Sequence, residues 1–328
     1  MLLRILKSNT WLSSLLIPLA GGLLWMYNFN APTLLDIQFA NGAMPLYHLI
    51  FNLLTKQAFW QIFISFSLVI LNSFFVAQLG STFIFIKKRS YLPGILYILT
   101  VSSLQELHAF LPVHIATLCV LLSLYFIFDT YHKPVEIAFT FNASFFLALA
   151  SLFYLPALML FPLVWIAIFV LQKSDNARLL VVPFLGFGVP WLFMWAYTFL
   201  NDSDDSMRQD IVRMLWTSHN DYLIHPLFLA LTAVVTFIAI LGGISIFSFY
   251  HMLKVSARKY FIILFWMLGL MLVAGLSLIT IGIEIIVFLS IPISFFIAHF
   301  LLSDEKTIWK EILTWIYVAT MVIAFLFY

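Results

Sequence analysis

The chain carries little charge and almost no cysteine. Of its 328 residues, 9% are charged and one is a cysteine, whereas 64% are hydrophobic. A soluble domain has about 25% charged residues, so this composition excludes an ordinary soluble fold. A single cysteine also excludes a disulfide within the chain and a cysteine metal site. Because Cys119 lies in an apolar run, we expect it to be a small buried side chain.

The net charge is also small. It is +2, and the basic residues occur in short clusters between apolar segments instead of forming one continuous patch. Nucleic-acid binding requires such a patch, so we predict no nucleic-acid partner.

Long apolar runs make up most of the sequence. Runs of about 17 to 25 residues cross a bilayer as helices, and their continuous character differs from the alternation seen in barrels. We predict an all-α, multi-pass bundle of about eleven spans, in which Tyr91–Ser103 and Ile137–Ser151 are short enough to be broken or partly buried. The predicted segments are Trp11–Phe29, Ala58–Leu79, Tyr91–Ser103, Leu111–Phe128, Ile137–Ser151, Tyr154–Leu171, Leu179–Leu200, Pro226–Tyr250, Tyr260–Ser277, Ile281–Leu302 and Ile312–Phe327.

The basic residues indicate an orientation. If the N-terminus is inside, thirteen of the 16 Lys and Arg residues fall in inner loops, and positive loops stay cytoplasmic. We therefore predict a cytoplasmic N-terminus and an outer C-terminus, in a bacterial inner membrane. The three basic residues on the outer side are Lys56, Arg208 and Arg213.

The first predicted outer loop combines one acid with an amphipathic run. Asp36 is followed by Met44–Leu54, in which Tyr47 and His48 lie off the apolar face. This pattern favours a short helix along the membrane surface.

The other two large outer loops are also polar. The second contains Glu106, His108 and His114, and the third, residues 201–225, contains Arg208 and Arg213 among several acids. In the third loop, apolar residues from Met207 to Leu215 fit one face of a second short helix.

Three stretches resemble the polytopic glycosyltransferases of the C superfamily, which include protein mannosyltransferases and lipid A aminoarabinose transferases. Met44–Leu54 is similar to a Pro-Pro-Leu-Tyr-Tyr motif with a following apolar run, Leu92–Tyr97 resembles their third span, and Asn142–Phe169 resembles their pair of closely spaced helices. The resemblance divides the chain into a transferase-like module (1–200), an outer loop (201–225) and C-terminal transmembrane helices (226–328).

The resemblance implies a polyprenyl-phosphate sugar donor, an acceptor at the outer face and a catalytic carboxylate in the first outer loop. Asp36 is the acid of that loop, and Glu106 is the candidate for the further acid of the second loop. The family usually has an acidic pair in the first loop, and here Met44 precedes Pro45 where the family has a second proline. A non-catalytic member of the same fold would show these departures too.

Each candidate site residue is selected because its side chain suits one chemical role. A carboxylate at a semi-dry interface has a raised pKa and can take a proton from a hydroxyl, so Asp36 suits a general base, although it would also suit a solvated loop end. Guanidinium groups pair with phosphate, so Arg208 and Arg213 are candidates for the donor phosphate, or else pair with nearby aspartates. The remaining substrate-binding candidates are Tyr47, His48, His108 and Trp216.

Metal binding and proton coupling are the remaining possibilities for single residues. Glu106, His108 and His114 are metal-ligand types, but their spacing matches no zinc pattern, so we predict no cofactor and keep a divalent metal as an alternative. Glu284 is the one acid well inside a predicted span, which is costly. A structural or interfacial position and a proton-coupling role both stay open for it.

Three functional classes follow. The first is a membrane glycosyltransferase, which the resemblance and the polar outer loops favour. The second is a lipid or solute transporter, and the third is a non-catalytic subunit of an envelope-assembly or secretion complex with a membrane-protein partner. Membrane lipids are the expected surroundings in every case.

Overall fold

A computed structural model of the chain describes residues 11–30, 44, 46–47, 57–83, 85, 90–132, 137–171, 177–201, 211–212, 226–248, 250–277, 282–302 and 308–327. Eleven α-helices have described bounds, and each of the eleven predicted apolar segments overlaps one of them. Residues 46–47 and 211–212 are helical as well. The helices are α1 (Trp11–Asn30), α2 (Ala58–Thr82), α3 (Leu92–Ser102), α4 (Pro112–Asp129), α5 (Ile137–Phe153), α6 (Pro162–Leu171), α7 (Ala177–Leu200), α8 (Pro226–Ser248), α9 (Val255–Ser277), α10 (Ile285–Leu302) and α11 (Ile308–Phe327). Short 3₁₀ turns cover Gln105–His108, Thr130–His132, Leu155–Leu160 and Tyr250–Met252.

Six of these helices are long and apolar enough to cross a bilayer, namely α2, α4, α7, α9, α10 and α11. Shorter apolar helices lie beside them. A helix satisfies its own backbone hydrogen bonds, which a lipid environment requires. The chain is therefore an all-helical, multi-pass membrane protein.

Helix α3 lies at the centre of the bundle. Ten of its 11 residues are buried, and it packs against α1, α2, α10 and α11. At about 1.5 Å per residue it is much shorter than the ~30 Å hydrocarbon core. The sequence predicted a broken or partly buried helix at Tyr91–Ser103; the structure has a short, continuous helix there that is almost wholly buried.

At one end of the bundle, which we call the basic end, aromatic rings and lysines meet. Phe85 lies 5.2 Å from the Phe128 ring and 5.5 Å from the Phe261 ring, measured between centroids. The Lys259 ammonium donates a hydrogen bond to the Leu171 carbonyl at 3.3 Å and lies 5.0 Å from the centre of the Tyr131 ring. The ends of α2, α4 and α6 thus meet the start of α9.

At the opposite end, which we call the acidic end because Glu106 and Glu284 lie there, a different set of helix termini meets. Asn28, in the last turn of α1, is hydrogen-bonded to His108. The Gln105 side chain donates to the Phe325 carbonyl of α11 at 2.8 Å. Helices α1, α3 and α11 therefore end where α4 begins.

Candidate functional site

A buried carboxyl group lies at the acidic end, at the start of α10. Glu284 is 6% exposed, and it occupies a turn in which the Ile285 and Val287 amides donate to the carbonyls of Gly282 and Glu284 at 3.4 and 3.1 Å. The Tyr154 hydroxyl, on the buried residue between α5 and the following 3₁₀ turn, hydrogen-bonds the Glu284 carboxyl. Burial raises the pKa of Glu284 to about 7, and the Tyr154 bond partly opposes this rise. The group is therefore poised to gain or lose a proton near neutral pH.

Tyr47 brings the first loop to this carboxyl. Its hydroxyl donates to the Phe110 carbonyl at 2.6 Å, and the Met44 amide of the same loop donates to the Phe153 carbonyl at 3.3 Å. Burial raises the pKa of Tyr47, and the nearby Glu284 charge raises it further. Segments from four separate connections between helices thus converge around one acid.

The loop between α3 and α4, residues 103–111, is held by side chains through its backbone carbonyls. His114 Nε2 donates to the Leu107 carbonyl at 2.9 Å, and the Ser65 hydroxyl donates to the Ala109 carbonyl at 2.8 Å. Tyr47 holds the Phe110 carbonyl, as described above. Non-helical backbone within an apolar bundle needs such partners, because an unsatisfied buried carbonyl is costly.

His108 has a structural position. It is fully buried, and its ring stacks on the Trp25 indole with centroids 4.2 Å apart. Nε2 donates to the Ser102 carbonyl at 3.0 Å, so Nδ1 is the unprotonated nitrogen and accepts from the Asn28 amide at 2.9 Å. Burial lowers the pKa of His108 to about 4. Both ring nitrogens are used within the protein, which leaves neither for the substrate contact predicted for this side chain.

The other predicted residues divide into two groups. Glu106 is half-buried in the Gln105–His108 turn, in the same loop that Tyr47 contacts, so the structure brings these two candidates to the same end. The candidates that lie outside the described residues are Asp36, His48, Arg208, Arg213 and Trp216. Between the two arginines, Ile211 is described. It is helical and packs against two buried clusters, Met44 with Leu155 and Leu152 with Met194.

The sequence left the role of Glu284 open and did not indicate Tyr154 as a site residue. Glu284 could be recognised as an acid in an apolar segment, but α10 begins at Ile285, so the carboxyl group precedes the helix instead of lying inside it. No local pattern distinguishes Tyr154 from the many other aromatic residues. Its partner is 130 positions away, and only the fold shows the pairing.

An apolar groove leads away from this end, between α5 and α7. Its volume is about 320 Å³. Leu46 and Leu152 lie at the groove and are close in sequence to Tyr47 and Tyr154, while Phe193, 74% exposed, opens it to the side. Further lining residues are Phe145, Leu149 and Met194. The groove has the apolar lining that a lipid chain requires.

No family model, curated protein or solved structure matches this chain. Within the part of the chain that the structure describes, no three His, Cys, Asp or Glu side chains come together as a metal site. Function must therefore be argued from the site itself.

Proposed function

We propose that this protein is an integral membrane transferase that moves a sugar from a polyprenyl-phosphate donor to an acceptor at the outer face of a bacterial inner membrane. The observation that carries the proposal is the convergence of Glu284, Tyr154 and Tyr47 at the acidic end, beside the apolar groove. A lipid-linked donor needs both parts, since its chain requires an apolar surface and its phosphate and sugar require polar groups.

In this proposal the acidic end faces outward. All five basic residues in the described ranges, Arg178, Lys254, Arg258, Lys259 and Lys310, belong to helix ends at or near the basic end. Positive residues remain on the cytoplasmic side. With the eleven helices alternating in direction, the N-terminus then lies inside and the C-terminus outside.

The reaction requires one proton transfer and one displacement. Asp36 takes the proton from the acceptor hydroxyl, whose oxygen forms a bond to the anomeric carbon of the sugar as the bond from that carbon to the donor phosphate breaks. The polyprenyl phosphate leaves with the electron pair. Arg208 and Arg213 bind this phosphate, Trp216 and His48 contact the sugar, and Glu106 is the second carboxylate. The packing of Ile211 against the buried cluster of Met44 and Leu155 supports this arrangement, because Ile211 lies between the two arginines in sequence and Met44 belongs to the first loop.

Substitution of the base tests the proposal. Membranes with Asp36→Asn are incubated with undecaprenyl phosphate carrying a radiolabelled hexose or aminoarabinose, and label in the acceptor fraction is measured. General-base catalysis contributes about 10²- to 10⁴-fold, so we expect at least a hundredfold loss of transfer. Asp129→Asn, at the basic end of α4, is the matched control and keeps wild-type transfer.

A non-catalytic subunit gives the opposite result. Unchanged transfer in Asp36→Asn, at equal membrane insertion, rejects the catalytic assignment.

A proton-coupled transporter is the second candidate, because Glu284 is a buried carboxyl group with a pKa of about 7. Such residues are typical of proton pathways in membrane proteins. Vesicles that transfer no sugar but dissipate an imposed pH gradient, and that lose this activity in Glu284→Gln, would identify the transporter.

A further inference from the structure

The apolar groove between α5 and α7 is closed at one end. Its lining residues on these two helices lie at 145–152 and at 189–197. Immediately before both stretches the helices touch, because a Cβ atom on Gly186 would lie 2.6 Å from the Phe141 carbonyl oxygen. Helices this close leave no room for a chain between them. The groove therefore ends where α5 and α7 meet.

The other end of the groove lies at the acidic end of the bundle. Leu152 in its lining is two positions before Tyr154, whose hydroxyl hydrogen-bonds Glu284. Leu46, from the first loop, lines the same end. Between the two ends the groove is open to the side, where Phe193 is 74% exposed. A lipid in the groove would therefore have its polar group at the acidic end, and a long chain would leave sideways into the bilayer.

The capacity of the groove is small. At 1.5 Å per helical residue, its two walls are about 10 to 12 Å long, against about 30 Å for the hydrocarbon core of a bilayer. Its volume is about 320 Å³. An apolar cavity of about 150 Å³ holds one benzene molecule, so each carbon atom requires about 25 Å³. The groove therefore holds about 13 carbon atoms.

This capacity favours a branched chain over a straight one. With single bonds of about 1.5 Å, an extended chain advances about 1.25 Å per bond, so about eight to ten backbone carbons fit along the groove. The remaining volume suits methyl branches, which isoprene units carry along their length. An isoprene chain therefore fills the groove better than a straight fatty acyl chain does.

We infer that the groove binds about two to three isoprene units of the donor, those next to its phosphate, and that the rest of the polyprenyl chain stays in the bilayer. This inference rests on the proposed function, and it adds which part of the donor the protein recognises. Lipid tails are as apolar as the groove, so the preference comes from packing of the methyl branches and not from transfer out of water. Chain length beyond three units should then have no effect on binding.

Photo-cross-linking tests the inference. The full chain in lipid nanodiscs is irradiated with undecaprenyl phosphate that carries a diazirine at the second or at the eighth isoprene unit from the phosphate, and labelled peptides are identified by mass spectrometry. We expect the second-unit probe to label residues 145–152 and 189–197 at least tenfold more than the eighth-unit probe does. Phosphatidic acid with a diazirine at the matching distance should label them at least fivefold less than the second-unit probe.

Two tryptophan substitutions provide a matched pair. Leu149→Trp fills the groove with a larger side chain, so labelling by the second-unit probe should fall at least fivefold. Leu192 is next to Phe193 on α7 but lies outside the groove lining and is 64% exposed. Leu192→Trp should therefore leave the labelling unchanged.

Three results would overturn the inference, and none of them requires a variant that could misfold. Equal labelling of the groove by the two prenyl probes shows that it does not select the units next to the phosphate. Equal labelling by phosphatidic acid shows that any lipid chain enters the groove. Labelling that avoids the groove shows that no prenyl chain binds there.

Failure of the inference can be distinguished from failure of the proposed function, because labelling requires no sugar transfer. Transfer by the wild type without groove labelling rejects the inference and leaves the transferase proposal in place. Selective groove labelling without transfer supports the binding site and rejects the transferase.

Discussion

At the scale of single residues, two opposing effects act on the pKa of Glu284. Burial favours its neutral form, whereas the hydrogen bond from Tyr154 favours the carboxylate. Its position just before α10 adds the partial positive charge of a helix N-terminus, which also favours the carboxylate. The raised pKa shows that burial is the larger effect.

This balance predicts a pH-dependent stability. Between a pH of about 4.5, the ordinary value for the group, and about 7, the folded protein keeps a proton that the unfolded chain has lost. The free energy of unfolding therefore falls by ~3 kcal/mol in total as the pH rises through this range. Above pH 7 it levels off. We expect the melting temperature in detergent to fall by about 5 °C from pH 5 to pH 7.5.

Glu284→Gln should remove this dependence, because the amide does not titrate. Glu311→Gln, at the basic end, is the control and should retain the wild-type fall. Parallel pH profiles for wild type and Glu284→Gln would show that another group is responsible.

Single residues are also where sequence reasoning reached its limit. Histidine in a polar loop favoured substrate binding at His108, yet its partners are Trp25 and Asn28, about 80 residues earlier in the chain. No motif near His108 in the sequence indicates contacts with residues so far away in the chain. The same holds for Glu284, whose neighbour Tyr154 comes from another part of the chain.

At the scale of elements, helices α8 and α10 approach so closely that their contact requires a glycine. A Cβ atom on Gly242 would lie 2.5 Å from the Phe296 carbonyl oxygen, whereas one on Gly243 would lie 3.5 Å from the Phe265 ring. Small residues at helix contacts are typical of membrane bundles.

The two adjacent glycines give a direct test. Gly242→Ala forces the helix backbones apart, and we expect a loss of about 1 to 3 kcal/mol, measured as a lower melting temperature in detergent. Gly243→Ala adds the same methyl group without a clash, so it should be neutral or slightly stabilising because alanine favours helix. Equal effects of the two changes would mean that the α8–α10 contact is not close-packed.

The positions of the helices were the most predictable part of the structure. Continuous apolar runs specify helices in lipid, so each predicted segment overlaps a helix, and the short α3 could be anticipated from its length alone. Boundaries were less certain. The predicted segment starting at Ile281 becomes a helix only at Ile285, since a turn at Gly282 precedes it.

At the scale of the whole molecule, basic residues distinguish the two ends. Every basic residue in the described ranges lies at or near the basic end, whereas the acids divide between the ends, with Glu106 and Glu284 at one and Asp129 and Glu311 at the other. The sequence predicted this asymmetry because insertion keeps positive loops on one side.

Because the single cysteine is buried, the orientation of the protein in the membrane can be measured by labelling introduced cysteines. Cys119 is buried, so it should give little background with a membrane-impermeant maleimide. Asn201→Cys, at the exposed end of α7, should be labelled in intact spheroplasts, whereas Lys254→Cys, at the basic end, should be labelled only after permeabilisation. The reverse pattern would invert the proposed topology.

The three hydrogen bonds that hold the second loop, from His114, Ser65 and Tyr47, also limit its motion. Breaking all three costs about 3 kcal/mol, so fewer than about one molecule in a hundred has the loop released at any moment. The second loop is therefore preformed in the folded protein. For the proposed transfer, a lipid-linked donor that diffuses within the leaflet would meet this loop already in place, with no opening step required of it.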